Sequence, residues 1–428
     1  MRILLLGATG LIGGAALARL VDAGHDVVAV ARRAGGPMRH VTWLALDIGR
    51  LTTADGWLAH LRGVDAVVNC AGAMQRGLGT DLGGVHVEGI AALFDACEAA
   101  GVKRVVHVSA INAEREPLTP FSATKQAGEQ ALQRRDLDWV ILRPSVVLGR
   151  AAYGGSALMR GLAALPIVPE MQDAGPLQVV QLDEVVETIV FFCAPEAPSR
   201  LALDVAGPDR LALADVVLEY KRWLDQGGVH RVRIPRAAAA VAHKLGDLAH
   251  LLGWHAPLGS TARAELARGA CGDPQPWTAV TGISPQPLAR ALAREPVSVQ
   301  ERWFARLYLL KPVVLVILVA FWLLTGVVSL GPGWEIGLAY LAEGGVTGWP
   351  ARIGVVAGAA ADIAIGLGIA VRRTCRIALY AALGISVFYM VTGSFVLPVL
   401  WADPVGPMLK IWPIMALNLV ALAILPDR

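Results

Sequence analysis

The first residues that could do chemistry are three glycines near the start of the chain. Gly7, Gly10 and Gly13 follow a short apolar segment and precede a stretch with helical periodicity that ends near Ala23. Because glycine has no side chain, such a loop lets the backbone approach a diphosphate, and the following helix offers free N–H groups and the positive end of its dipole. A second apolar segment, residues 26–31, completes a strand, loop, helix and strand. This order predicts a dinucleotide site and is more specific than an isolated glycine pattern.

The second apolar strand ends in two arginines, Arg32 and Arg33. An acidic residue there would hydrogen-bond the adenosine ribose 2′-hydroxyl of NAD, whereas arginine can bind the 2′-phosphate of NADP with charge-assisted hydrogen bonds. The alternative is that both arginines are solvated loop charges. Since no acidic residue stands at the end of this strand, the sequence favours NADP(H) over NAD(H).

Further segments occur in an order that resembles the short-chain dehydrogenase/reductase family. After the glycine motif come Asp47-Ile48 and residues 65–72 (DAVVNCAG), 102–109 (VKRVVHVS) and 142–149 (LRPSVVLG). The resemblance covers about residues 1–225 and is to the atypical branch that contains the NADPH-binding accessory subunit of respiratory complex I. It implies an α/β domain with a doubly wound parallel sheet of the Rossmann type. It also implies these cofactor-binding residues: Gly7, Thr9, Gly10, Leu11, Ile12, Gly13, Arg32, Arg33, Asp47, Ile48, Cys70, Ala71, Gly72, Lys125, Pro144 and Val146.

The resemblance also implies catalytic residues, because the family uses a serine together with the tyrosine and lysine of a YxxxK pattern. Ser109 ends the fifth strand and Lys125 matches the lysine, but Phe121 stands at the position of the tyrosine. A phenyl ring has no ionisable proton, and loss of a positioned acid or base typically costs about 10²–10⁴ in rate. Tyr153, in the loop at 150–155, is the candidate for a replacement proton donor; the alternative is a loop aromatic that packs on the pocket. We therefore predict Ser109, Lys125 and Tyr153 as the catalytic residues.

Two histidines lie near these segments in the sequence. We expect His107, in the strand that leads to Ser109, to be a packed core histidine. His86 opens the helix after the fourth-strand loop, and we expect it on the surface of that helix.

The composition excludes several classes of protein. Hydrophobic residues make up 55% of the 428 residues and charged residues 17%, which excludes intrinsic disorder. The net charge of +3, from 38 basic and 35 acidic residues, is too balanced to indicate a nucleic-acid partner. The five cysteines are scattered and form no CxxC pair, so we expect neither a disulfide scaffold nor a metal site. The first twenty residues could also be a secretory signal, but each glycine there has a place in the dinucleotide loop.

Four apolar segments occupy the last part of the chain. Each is long enough to span the roughly 30 Å of a bilayer's hydrocarbon core at about 1.5 Å per residue. The alternative is a set of buried helices in a large soluble core. Four successive apolar runs of this length argue against it, because a soluble core does not require them. The segments resemble the DoxX-like membrane family and predict an all-α four-helix transmembrane bundle in a lipid bilayer. They are residues 312–330, 353–371, 377–400 and 405–425.

Charged residues at the ends of these segments predict the orientation. Arg302, Arg306 and Lys311 precede the first segment, residues 372–376 hold three arginines between the second and third, and Arg428 follows the fourth. By the positive-inside rule, the N-terminal domain and the C-terminus both lie in the cytoplasm. We therefore expect a multi-pass protein of the cell (inner) membrane.

One carboxylate lies within a predicted span. Gly354, Gly358, Asp362 and Gly366 recur every four residues, and small residues at this spacing let helices approach closely. Burial of a charge at mid-membrane costs about 2.5–3.5 kcal/mol, so we expect Asp362 to have a partner. Lys410 is the candidate from the fourth segment. The alternative is that Lys410 extends to the surface and Asp362 is protonated.

Together these observations divide the chain into three parts and leave two functions open. The parts are a Rossmann domain (1–230), a helical substrate-side or linker segment (231–305) and a membrane domain (306–428). The first function is a membrane-anchored NADP(H)-dependent oxidoreductase that acts on a lipophilic substrate near the membrane, such as a quinone or isoprenoid carbonyl. The second is a non-catalytic NADPH-binding protein with a structural, assembly or redox-sensing role and a membrane protein partner. Phe121 favours the second function and the retained Ser109 favours the first.

Overall fold

The structure is a computed structural model that describes residues 1–74, 81–227 and 230–426. The described residues form two compact units. The first contains Met1–His250 and His255–Ala305, and the second contains Leu251–Trp254 together with the chain from Arg306 onward. Most of the predicted segment 231–305 therefore groups with the dinucleotide domain. Arg428, which we used to predict the orientation of the C-terminus, lies outside the described residues.

Short, apolar strands alternate with helices throughout the first unit. The strands are β1 Arg2–Leu6, β2 Asp26–Ala31, β3 Val41–Ala45, β4 Ala66–Asn69, β5 Arg104–Val108, β6 Asp138–Pro144, β7 Val146–Leu148, β8 Val168–Met171, β9 Leu177–Gln181, β10 Leu201–Val205, β11 Arg210–Leu211 and β12 Arg231–Ile234. The helices up to residue 294 are α1 Leu11–Asp22, α2 Ala54–Leu58, α3 Gly89–Ala100, α4 Pro120–Gln133, α5 Gly155–Ala163, α6 Leu182–Cys193, α7 Leu213–Trp223, α8 Arg236–Leu251, α9 Ser260–Arg268, α10 Gln275–Thr281 and α11 Leu288–Arg294. The later helices are α12 Val299–Leu330, α13 Trp334–Glu343, α14 Gly348–Ala370, α15 Cys375–Val396 and α16 Ile411–Ile424.

Seven strands form one parallel sheet in the order β10-β6-β5-β4-β1-β2-β3. The central strand β1 pairs in parallel with both β2 and β4, and its residues Ile3–Leu6 are fully buried. A parallel sheet buries both faces because helices cover each of them. Here α1 and α6 cover one face, and α2, α3 and α4 cover the other. The predicted doubly wound sheet of the Rossmann type is confirmed.

The second unit is helical, as predicted for a membrane domain. Three of its helices, α12, α14 and α15, are long and apolar enough to cross a membrane within the described part of the chain. The fourth predicted span is shorter than expected, because α16 has 14 residues, which is about 21 Å against a hydrocarbon core of about 30 Å. Turns occupy much of residues 403–410, where Gly406 has a positive φ of 64°, so the helix cannot begin at residue 405.

Asp362 has a different partner from the one predicted. Its side chain is 3% exposed and accepts a hydrogen bond of 3.1 Å from the Tyr389 hydroxyl on α15. Gly358 leaves room for this hydroxyl, since a Cβ at that position would lie 3.1 Å from it. Lys410 is exposed immediately before α16, and the described residues show no ion pair between it and Asp362. The predicted Asp362–Lys410 pair is therefore wrong, because the late start of α16 leaves Lys410 at the surface.

We expect Tyr389→Phe to destabilise the helical bundle by about 1–2 kcal/mol, because it removes the hydroxyl that donates to the buried Asp362. Lys410→Met is the matched control, and it should melt like the wild type. Thermal melts of the full-length protein in detergent measure both. A melting temperature lowered by Lys410→Met and unchanged by Tyr389→Phe would contradict this assignment.

Candidate functional site

The glycine loop packs closely between the ends of β1 and β4. Gly7 has a positive φ of 74°, and a Cβ there would lie 2.8 Å from the Ala71 nitrogen. A Cβ at Gly13 would lie 2.2 Å from the Gly7 carbonyl oxygen, so no larger residue fits at either position. Helix α1 begins immediately after Gly10, with no acidic residue in its first turn. The first N–H groups of a helix have no partner inside that helix, so this loop suits a diphosphate of a dinucleotide.

The predicted cofactor residues follow the ends of neighbouring strands. The Cys70 nitrogen donates to the Leu6 carbonyl (3.0 Å), and the Ser109 nitrogen donates to the Leu142 carbonyl (2.7 Å). These contacts bring the chain after β4 and β5 to the carboxyl edge of the sheet, together with Pro144 at the end of β6. Ligands of doubly wound sheets bind at this edge. Burial raises the pKa of the Cys70 thiol to about 12, so this cysteine is a neutral lining group at physiological pH.

Asp47 already has a structural role in the turn after β3. Its carboxylate accepts a hydrogen bond from the Gly49 nitrogen (3.2 Å) and lies 3.6 Å from Arg50. It thereby caps a short 3₁₀ helix that begins at Ile48, a buried residue. The contact of Asp47 and Ile48 with an adenine ring stays a prediction.

Arg32 and Arg33 are exposed directly after β2. The glycine loop begins beside this strand, because the Gly7 nitrogen donates to the Val30 carbonyl at 3.0 Å. Arg32 is therefore only two residues beyond Val30, the strand residue that accepts this hydrogen bond from the glycine loop. Within the described ranges, neither arginine forms an ion pair with the protein, so both side chains are available to a bound phosphate.

Lys125 is buried at the end of β5, next to the residue that precedes Ser109. Helix α4 begins with Pro120 after the capping residue Thr119, a favourable helix start. Five residues later, the Lys125 ammonium donates to the Val108 carbonyl at 3.0 Å, and its side chain is 6% exposed. Burial lowers the pKa of Lys125 to about 8. The ammonium group is therefore charged at neutral pH but gives up its proton more readily than an exposed lysine.

Ser109 has a buried hydroxyl without a hydrogen-bond partner among the described residues. The residue is 5% exposed, and its Oγ lacks a hydrogen-bond partner within the described chain. The Oγ of Ser145, between Pro144 and Val146, is buried and unpartnered in the same way. Buried polar groups normally have partners, so these two hydroxyls have hydrogen-bonding capacity that the described residues leave unused. The sequence motif contained Ser145, but we had assigned it no role.

His86 belongs to this site, and its predicted position on a helix surface is wrong. The ring is 2% exposed, its Nε2 accepts from the Ala73 nitrogen (3.0 Å), and its Nδ1 lies 2.8 Å from the Thr124 hydroxyl. A neutral ring with its proton on Nδ1 satisfies both contacts. Burial and the Lys125 charge lower the pKa of His86 to about 2. Gly128 allows this burial. A Cβ at position 128 would lie 2.5 Å from the His86 carbonyl oxygen, so the absence of a side chain lets the two segments approach.

The same histidine contacts the position where the family has tyrosine. The rings of His86 and Phe121 meet edge to face with centroids 5.8 Å apart. A Cβ on Gly72 would lie 3.3 Å from the Lys125 Nζ and 3.4 Å from the His86 Nε2. His86 therefore lies close to Gly72 and Phe121, and Gly72 lies close to Lys125.

His107 is buried, whereas Tyr153 is exposed. His107 is a buried core histidine, as predicted, with its Nδ1 3.0 Å from the Asn69 amide and its ring edge-on to Phe94. Tyr153 lies in the loop before α5 with 37% of its surface exposed, whereas Ser109 and Lys125 are buried. The role of Tyr153 as a proton donor stays a prediction.

A partly buried carboxylate attaches helix α9 to the start of α4. Glu265 accepts hydrogen bonds from the hydroxyls of Thr119 and Ser122 and from the Asn112 amide. Arg268, one turn later, pairs with Glu265 at 2.9 Å and donates to the Ser122 hydroxyl at 2.8 Å. These contacts hold the helix that carries Phe121 and Lys125. The sequence analysis missed them because the partners are separated by more than a hundred residues.

Comparison with protein families assigns both units. Residues 7–161 match the NAD(P)H-binding family model, and residues 319–419 match the model of the DoxX-like family. The first unit thus contains an NAD(P)H-binding domain. The chain joins this domain to a C-terminal DoxX-like domain, as the sequence resemblance predicted.

Curated relatives resemble part of this chain. A ceramide reductase of Caulobacter vibrioides is 26% identical over 44% of this chain and 59% of its own length. The photosystem II assembly factor Ycf39 of Synechocystis is 29% identical over 33% of this chain and 44% of its own. The 40 kDa subunit of NADH-ubiquinone oxidoreductase from Neurospora crassa is 28% identical over 33% and 40%. The chain therefore spans less than two thirds of the length of each of these relatives.

Solved structures support the fold of the first unit. A short-chain dehydrogenase/reductase superfamily protein from Agrobacterium tumefaciens with bound NAD has a TM-score of 0.52 and 15% identity, over 73% of this chain and 99% of that one. The UDP-glucuronic acid 4-epimerase of Bacillus cereus, with UDP-glucuronic acid and NAD, has a TM-score of 0.53 and 15% identity, over 72% and 100%. At this identity the likeness shows the fold alone.

Proposed function

We propose that this protein is a membrane-anchored oxidoreductase that uses NADP(H) to reduce a lipophilic substrate near the membrane surface. The observation that carries the proposal is that two buried polar groups lie at the carboxyl edge of the sheet: Lys125 donates to the Val108 carbonyl, and Ser109 follows Val108. The Ser109 hydroxyl has no partner among the described residues, and the neighbouring Lys125 has a pKa lowered to about 8. Perturbed ionisable groups beside unsatisfied donors are typical of reaction sites.

The residues of the site can divide the chemistry of carbonyl reduction among them. The glycine loop would hold the cofactor's diphosphate at the start of α1, whose first turn carries no acidic residue, and a bound nicotinamide would supply a hydride. Ser109 would donate a hydrogen bond to the substrate carbonyl oxygen. As the alcohol forms, the Lys125 ammonium would donate a proton to that oxygen, and solvent would return a proton to Lys125. This replaces the proton transfer that Phe121 cannot perform.

Two further features support a lipophilic substrate. The chain carries helices long and apolar enough to cross a membrane, so its soluble domain works next to lipid. One relative of the N-terminal domain is named a ceramide reductase, and ceramide is a lipid. The cytoplasmic side of the inner membrane, where NADPH is available, would be the location of this domain in a multi-pass protein. Its orientation would follow from the arginines at residues 372–376.

A second function is favoured by Phe121. Without the family's tyrosine, the domain could hold NADPH in a structural, assembly or redox-sensing role and bind a membrane protein. Two relatives are named a photosystem II assembly factor and a subunit of NADH-ubiquinone oxidoreductase, which agrees with such a role.

One experiment distinguishes the two functions. Full-length protein in nanodiscs is incubated with NADPH and a membrane lipid extract, and the loss of NADPH absorbance is followed together with lipid products. Ser109→Ala is the matched variant, because it removes the unpartnered hydroxyl and leaves the glycine loop intact. Turnover that depends on Ser109 supports the oxidoreductase. NADPH binding without turnover in any extract supports the second function.

We expect Phe121→Tyr to raise the reductase activity, by up to about 10² in rate, because the new hydroxyl would supply a proton donor one turn from Lys125. Phe121→Leu, which adds no hydroxyl, is the control and should give no gain. Initial rates with NADPH and the active lipid fraction measure both. A lower rate in Phe121→Tyr would contradict this expectation and make Tyr153→Phe the next variant to assay.

A further inference from the structure

Helix α8 exposes its apolar face. Val241, Leu245, Leu248 and Leu251 are between 51% and 72% exposed, and their spacing of four, three and three residues puts them on one side of the helix. His243 and Gly246, on the other side, are buried. A surface helix of a water-soluble domain has the opposite arrangement. An exposed apolar stripe of this kind marks an interaction surface.

The protein holds this helix so that the apolar stripe cannot turn inward. A Cβ on Gly246 would lie 2.1 Å from the Leu258 carbonyl oxygen, so the chain after the helix packs directly on its small side. Asp247 accepts hydrogen bonds from the Ser260 nitrogen (2.9 Å) and from the Ser260 hydroxyl. These contacts fix the rotation of α8 about its axis and leave Leu245 and Leu248 facing outward.

The chain that follows α8 belongs to the membrane domain. Residues Leu251–Trp254 group with the second unit. The Trp254 indole donates to the carbonyl of Ala370, the last residue of α14, at 2.8 Å, and the Arg372 nitrogen donates to the Leu252 carbonyl at 3.0 Å. The Arg372 guanidinium lies 5.4 Å from the centre of the Trp254 ring. Tryptophan and arginine at the end of a spanning helix are typical of the membrane–water interface.

We propose that α8 lies in the plane of the membrane surface and inserts Val241, Leu245, Leu248 and Leu251 at the boundary between headgroups and acyl chains. Chain connectivity carries the argument. Helix α8 ends at Leu251, only three residues before Trp254, and Trp254 is hydrogen-bonded to the last residue of α14. Helices with an apolar face and basic residues beside it bind membranes in this way. Lys244 is exposed next to the apolar stripe, where it can contact anionic headgroups. The bilayer that holds the spanning helices is thus the partner of this surface, independently of whether the protein is an enzyme.

Quenching by brominated lipids tests the proposal. A fluorescent amino acid is incorporated genetically at Leu245 or Leu248 of the full-length protein, which is then placed in nanodiscs whose acyl chains carry bromine. Val316, exposed on α12, is the positive control, and Ala99, exposed on α3 of the soluble domain, is the negative control. We expect Leu245 and Leu248 to lose most of their fluorescence, as Val316 does, and Ala99 to lose none.

A matched pair of variants shows that the apolar stripe causes the insertion. With the fluorescent residue at Val241, Leu245→Asp with Leu248→Asp should abolish quenching, whereas Leu245→Ala with Leu248→Ala should retain part of it. Quenching at Val316 but not at Leu245 or Leu248 would overturn the proposal. Energy transfer between two copies in one nanodisc, without quenching at these positions, would overturn it in favour of a dimer contact.

Discussion

Lys125→Met is expected to lower the rate of NADPH-dependent reduction by about 10²–10⁴, the usual effect of losing a positioned proton donor. The ammonium group is buried at the end of β5, and Phe121 leaves no tyrosine to share its work. Steady-state rates with the active lipid fraction measure the effect. Because methionine replaces a buried charge by an apolar chain of similar length, we expect no loss of thermal stability, so that unfolding does not account for the result.

The pH dependence distinguishes a proton donor from a structural lysine. Burial lowers the pKa of Lys125 to about 8, so the donor is charged below this pH and loses its proton above it. The wild-type rate should therefore fall as the pH rises through about 8. His86 does not contribute to this profile, because its pKa lies far lower. A residual rate in Lys125→Met that still falls through the same pH would contradict the assignment.

Arg32→Glu is expected to abolish a preference for NADPH over NADH of about 10- to 150-fold. This range corresponds to about 1.5–3 kcal/mol for hydrogen bonds between a charged group and the 2′-phosphate. The arginine is exposed after β2 and has no competing ion pair in the described chain. Titration of both cofactors, followed by tryptophan fluorescence, gives the two affinities.

Arg62→Glu is the control for Arg32→Glu, because it makes the same charge change at an exposed position before β4, at the opposite edge of the sheet. It should leave the preference unchanged. Equal affinities of the wild type for NADPH and NADH, or a preference that survives in Arg32→Glu, would show that the arginines after β2 are solvated loop charges.

Local sequence patterns were sufficient to predict the dinucleotide fold. The glycines at 7, 10 and 13, the apolar strands and the serine after β5 are all features of short segments, and the structure brings their strands to one edge of the sheet. These patterns work because strand, loop and helix preferences act over a few residues. The placement of Lys125 near Ser109 followed from the family resemblance alone.

Contacts between distant segments could not be predicted in the same way. His86 joins the site because Gly128 lets two segments approach, and Glu265 binds Thr119 and Ser122 across a separation that no periodicity reveals. The prediction for Lys410 failed for a related reason. Its depth depends on where α16 begins, and turns at residues 403–410 delay that helix in a way that hydrophobicity does not show.

Transfer of deuterium from cofactor to lipid tests the central claim most directly. Full-length protein in nanodiscs is supplied with membrane lipid extract and with NADPH deuterated at both C4 positions, and the lipids are analysed by mass spectrometry. We predict a reduced lipid that carries one deuterium per NADP⁺ formed and that forms far more slowly with Lys125→Met. Bound NADPH with no deuterated lipid from any extract would contradict the account and indicate a non-catalytic NADPH-binding protein.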